Sequence, residues 1–131
     1  MPRVSSAFFA AGVTCVLIGM AWGMYMGSNE NFTLAPAHAH LNLVGWVTMA
    51  LYGTFYALTH KTMSARLAWL NFALSLVGAL IMLPSLTIFL SSGNDPEFIP
   101  FMVAGEILTF LAALTFALSV FRELFRRAAT I

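Results

Sequence analysis

The chain has 131 residues, 60% hydrophobic and only 8% charged, with a formal net charge of +1. A water-soluble domain carries about 25% charged residues, so this composition excludes a solvent-covered globule, a disordered chain and a nucleic-acid-binding tail. The one cysteine, Cys15, stands in an apolar run and excludes an internal disulfide framework. What is left is a single all-α domain embedded in a lipid bilayer.

A hydrocarbon core about 30 Å thick takes roughly 20 apolar residues per helix, and four stretches reach that length: 4–26, 37–58, 67–90 and 98–121. They predict a four-helix transmembrane bundle. The first stretch holds no charge, and its small residues Ala11, Cys15, Gly19, Gly23 and Gly27 recur at every fourth position. Such a stripe lets another backbone approach closely, either within the chain or as a homo-oligomer seam through Gly19, Gly23 and Gly27. Arg3 ahead of it suggests a signal peptide, but the apolar run exceeds the usual length of about 7–15 residues and no small-x-small cleavage site closes it. A retained span is expected. The second stretch carries a matching set, Gly45, Met49, Gly53 and Ala57. The third contains Asn71, expected to bond between helices, and Pro84; the fourth contains Glu106. Barrel strands would be about ten residues long and alternate in polarity, and nothing here alternates.

With four spans, Arg3, Lys61, Arg66, Arg122, Arg126 and Arg127 all fall on one side. The loops on the other side, 27–36 and 91–97, hold Glu30, Asp95 and Glu97 and no basic residue. The positive-inside rule then places both termini in the cytoplasm.

The residues able to carry chemistry cluster between Pro36 and Trp46. His38 and Asn42, four apart, share a helix face, whereas His40 points about 200° away. A regular helix aims one imidazole into the bundle and the other at headgroups or a neighbouring subunit. An unwound first turn, near the start that Pro36 sets, lets both converge on one metal. Polar groups in lipid are costly unless paired, so His38, His40 and Asn42 predict a buried polar site, against the alternative of interfacial histidines. Glu106 lies close to the depth of Asn42 or Trp46 and is expected to pair with Asn42, Thr48 or the Trp46 indole, to ligate a metal or support a ligating histidine, or to relay protons. Met20, Met24 and Met26 lie at the depth of the histidines. Imidazole and thioether suit Cu(I), so His38, His40, Met24, Met26 and Glu106 form one candidate metal set. His60 is about 33 Å along a helix from His38 and belongs with Lys61 and Arg66 to a cationic boundary. There is no Gly-rich phosphate loop, Ser-His-Asp order or Cys-x-x-Cys pair, and no complete catalytic set.

His38-x-His40-Leu41-Asn42-Leu43-x-Gly45-Trp46 resembles the start of the second helix in subunit I of haem–copper oxidases and nitric oxide reductases, where a histidine at the outer end ligates the low-spin haem. Small four-span bacterial proteins described as oxidase-subunit-I-like are similar over the same segment. The resemblance implies haem b with His40 or His38 as an axial ligand, and Asn42, Trp46 and Met24 contributing to the cofactor site. It also implies electron transfer or binding of O2 or NO, a respiratory-chain partner and the bacterial cytoplasmic membrane. The large family carries its other haem and copper ligands on later helices, so the second ligand here is expected to be a methionine or a histidine of a second subunit. A non-haem copper-handling protein and a structural or assembly subunit of a respiratory complex are the competing expectations.

Overall fold

The computed structural model describes residues 1–128, with side chains through Arg126. The chain forms α1 (Arg3–Ser28), α2 (Ala35–Leu58), α3 (Ala65–Ser91) and α4 (Ile99–Ala128), the last entered through a short 3₁₀ turn, Pro96–Phe98. Four helices are long and apolar enough to cross a membrane, and they coincide with the four expected stretches. Among the described residues there is no strand.

The ends of the helices have local causes. Pro2 precedes α1 and Pro36 lies in the first turn of α2, where a missing N–H is no loss. The Ser64 hydroxyl accepts the Leu67 N–H and caps α3, and the Asp95 carboxylate accepts the Glu97 N–H at 3.0 Å. Between α3 and α4 the chain reverses through Gly93 (φ 76°) and Asn94 (φ 69°), the residue types that adopt left-handed backbone most easily. α3 runs unbroken through Pro84, as membrane helices allow.

Arg3, Lys61, Arg66, Arg122 and Arg126 lie at one end of the bundle, while Glu30, Asp95 and Glu97 lie in the two connections at the other. The Arg127 side chain, assigned to the basic end by the sequence, is outside the described residues.

Close helix crossings are made at glycines. On α4, a Cβ at Gly105 would sit 2.6 Å from the Met82 backbone nitrogen of α3; one at Gly78 would sit 3.0 Å from the Thr109 nitrogen. On α2, a Cβ at Gly53 would meet the Phe8 Cβ of α1 at 3.0 Å. The core lies toward the basic end, around the fully buried Phe8, whose ring stacks on Tyr56 at 5.9 Å and meets Tyr52 and Phe72 edge-on. Asn71, fully buried, bonds between helices as expected: its amide donates to the Tyr56 hydroxyl at 3.1 Å, and that hydroxyl bonds Ser119 Oγ at 3.1 Å. One polar chain thus ties α2, α3 and α4 together; such bonds average about 0.6 kcal/mol each inside membranes.

Because its added methyl meets backbone, Gly105→Ala is expected to lower stability by about 1–3 kcal/mol. Gly27→Ala, where nothing lies within 4 Å, should stay within about 0.5 kcal/mol. Thermal unfolding in detergent reads both.

Candidate functional site

The site begins where α2 leaves α geometry. Its first turn, Ala35–His40, is regular, but the eight residues Leu41–Thr48 form a π-helix. Bonds from residue i to i+5 widen each turn beyond four residues, so side chains four apart stack almost directly above one another; π segments recur at functional sites. The Thr48 hydroxyl follows the same register and donates to the Leu43 carbonyl, five residues back, at 2.8 Å.

His38, Asn42 and Trp46 consequently form one column facing α1, and each lies over a glycine. The His38 Cε1 is 3.0 Å from where a Cβ on Gly23 would stand, the Asn42 carboxamide fills that place at Gly19, and the Trp46 Cε3 is 3.0 Å from it at Gly12. From the other helix, the Cys15 sulfur sits 2.8 Å from a Cβ built on Gly45. The small-residue stripe of α1 is therefore occupied within the chain at Gly19 and Gly23, while Gly27 is open.

The two imidazoles have different surroundings. His38 is half-buried, with Trp22 edge-on to its ring at 6.2 Å. The Asn42 amide donates to the His38 carbonyl at 3.0 Å and stands 3.4 Å from both ring nitrogens, which places it over the ring face. His40 is exposed, and its Nδ1 is 2.8 Å from the Pro36 carbonyl. A carbonyl only accepts, so Nδ1 carries the proton in this bond and the Nε2 lone pair is left directed away from the helix.

Convergence of both rings on one metal, which required an unwound first turn, is not formed among the described residues: the turn that holds both is regular and points them about 200° apart. Met24 is turned outward, 71% exposed. Glu106 is exposed on α4 and makes no hydrogen bond or ion pair among the described residues; the expected bonds to Asn42, Thr48 or Trp46 are absent there. Gly105 must face Met82, and the next residue on a helix is turned by about 100°, which points Glu106 outward. No group of three His, Cys, Asp or Glu side chains able to hold a metal exists among the described residues.

Beside His38 lies a feature that the sequence did not signal: a cavity of about 480 Å³ lined by Trp22, Tyr25, Asn29, Asn31, Thr33 and Ser91. It joins the ends of α1 and α3 to the intervening loop, and Trp22 is shared between it and His38. The Pro36 partner of His40 was also missed, because a side-chain bond to a helix carbonyl four residues back leaves no mark in the sequence.

Comparison with protein-family models, with curated proteins and with solved structures gave no match.

The glycine–side-chain fit is testable as a coupling. Gly19→Ala should destabilise the bundle by displacing the Asn42 carboxamide, and Asn42→Ala should recover part of that loss. A double-mutant cycle in detergent is expected to give a coupling of about 0.5–3 kcal/mol; additivity would show that the contact does not form.

Proposed function

We propose that this protein is a membrane haem b-binding protein in which His40 supplies one axial ligand at the extracytoplasmic face, serving electron transfer or the binding of O2 or NO. The observation that supports this reading most is the 2.8 Å bond between His40 Nδ1 and the Pro36 carbonyl on an exposed ring. Ligating histidines characteristically donate their other N–H to a carbonyl or carboxylate, which fixes tautomer and ring orientation and raises ligand basicity. The resemblance of the His38–Trp46 segment to the second helix of oxidase subunit I implies a haem ligand at His40 or His38, a pair that includes this residue.

The donor set fits one axial position. His40 offers its Nε2 on the exposed side of α2. His38 does not fit the second position of the same group, because Trp22 and Asn42 enclose its ring. The homo-oligomer expected from the small-residue stripe is here assigned to the α2 face that carries His40, since His38 and Asn42 fill Gly19 and Gly23. Bound haem would supply one-electron exchange or a coordination position for a small gas. The chain's own part is to hold the imidazole by Pro36, to keep Asn42 and His38 packed behind it, and to present the ring at the membrane boundary. The basic end lies in the cytoplasm on this reading, in a bacterial inner membrane, with a respiratory-chain partner exchanging electrons at the opposite face.

Protein purified in mild detergent from haem-replete cells should show a Soret band. His40→Ala should abolish it, while His38→Ala, folded by circular dichroism, should retain more than half. Colourless wild-type protein overturns the proposal; copper without porphyrin in metal analysis supports the copper-handling reading, and no metal at all supports an assembly subunit.

The orientation has its own test. Ser92→Cys should react with a membrane-impermeant maleimide on intact cells, and Thr62→Cys only after permeabilisation; the reverse pattern would invert the topology.

A further inference from the structure

The basic end of the bundle holds a second cavity that haem binding does not involve. It has a volume of about 360 Å³ and lies between the α2–α3 turn and the last turns of α4, with Lys61, His60 and Arg126 on its walls. We propose that it is a binding site for a phosphate-bearing anion, the headgroup of an anionic phospholipid or a free phosphate ester.

The turn that builds one wall is held in place. The Thr59 N–H bonds the Phe55 carbonyl at 3.0 Å, and the Thr62 and Met63 N–H groups bond the Thr59 carbonyl at 2.9 and 2.8 Å. The Thr59 hydroxyl adds a bond to the Phe55 carbonyl at 2.8 Å, so Lys61 is carried on an ordered loop. The opposite wall is clamped to it: the Thr62 hydroxyl donates to the Glu123 carboxylate at 2.7 Å, and Arg126 reaches the same carboxylate at 3.2 Å. Glu123, the acidic residue among these walls, holds Arg126 at the edge of the cavity. A guanidinium carries five N–H donors in a fixed fork, so it can bridge more than one acceptor. Lys61 adds a compact ammonium, the complement to a phosphate charge. His60 lines the same space, with its Nδ1 bonded to the Ala57 carbonyl at 3.1 Å.

The apolar rim argues for a lipid as the phosphate's source. Leu58, 80% exposed, lines the cavity on the side that continues into the span. A molecule with a phosphate among Lys61 and Arg126 would lay its acyl chains along that side. Anionic headgroups are attracted to clustered Lys and Arg at the membrane surface.

Native mass spectrometry of the full chain, in detergent doped with equal phosphatidylglycerol and phosphatidylcholine, tests the site. The wild type should retain phosphatidylglycerol over phosphatidylcholine by about tenfold or more. The Lys61→Gln/Arg126→Gln variant should lose that preference, and Arg3→Gln, at the same end but off the cavity, should keep it. Millimolar inorganic phosphate that displaces the lipid assigns the site to free phosphate esters; retention of lipid assigns it to the headgroup. If the double variant fails to fold, the wild-type ratio decides alone. A wild-type ratio near one, or equal retention in a folded double variant and the wild type, overturns the proposal.

Discussion

A polar atom inside hydrocarbon has no water to bond, so each one must find a partner in the protein. The packing of this chain follows from how its few interior polar side chains meet that demand. Toward the basic end, Asn71, Tyr56 and Ser119 satisfy one another across three helices. Toward the acidic end, the Asn42 amide bonds the His38 carbonyl within α2, and both side chains are pressed against α1 where glycines leave room. The glycines are what make this possible: a methyl at Gly19 would occupy the place of the Asn42 carboxamide. The α1–α2 contact is thus a fit of large polar and aromatic side chains onto bare backbone, and the π segment keeps those side chains in line over it.

Much of the architecture was legible because lipid allows so few solutions. Apolar length alone located four helices, and the segregation of basic residues to one side gave an even number of crossings independent support. Asn71 could be read as an interhelical bond, since a buried amide in a span has little else to do. The small-residue stripes were legible as places of close approach but not as to what approaches, because one pattern serves a neighbouring helix and a neighbouring subunit equally. Only the tertiary structure shows Asn42 over Gly19 and Trp46 over Gly12. The π segment left no mark in the sequence either. Gly45 lies within it, but glycine is ordinary in membrane helices.

The candidate site was legible in composition and not in direction. Depth along a helix follows from residue counting, and it put His38, His40, Asn42 and Glu106 at comparable levels. Azimuth is set by whichever residues must face the neighbouring helix. Gly105, buried against Met82, fixes the rotation of α4 and sends Glu106 to the outside. Likewise the contact of His38 with Trp22 and Gly23 fixes the rotation of α2 and sends His40 outward. Two ionisable groups are therefore presented on the surface of the bundle in the half nearer its acidic end. A carboxyl in hydrocarbon is costly to leave alone, so the exposed position of Glu106 sets it apart from the paired polar groups of the interior.

On the proposed reading, ligand count and oligomeric state are linked. Each chain presents one outward imidazole nitrogen of fixed tautomer, with His38 enclosed behind it. A single copy would hold the group through one imidazole, which suits reversible binding of a small gas. Two copies meeting through their α2 faces would hold it through both His40 side chains, which suits electron transfer. The choice between the two activities then rests on how strongly two α2 faces attract one another in the bilayer, more than on any further residue of the site.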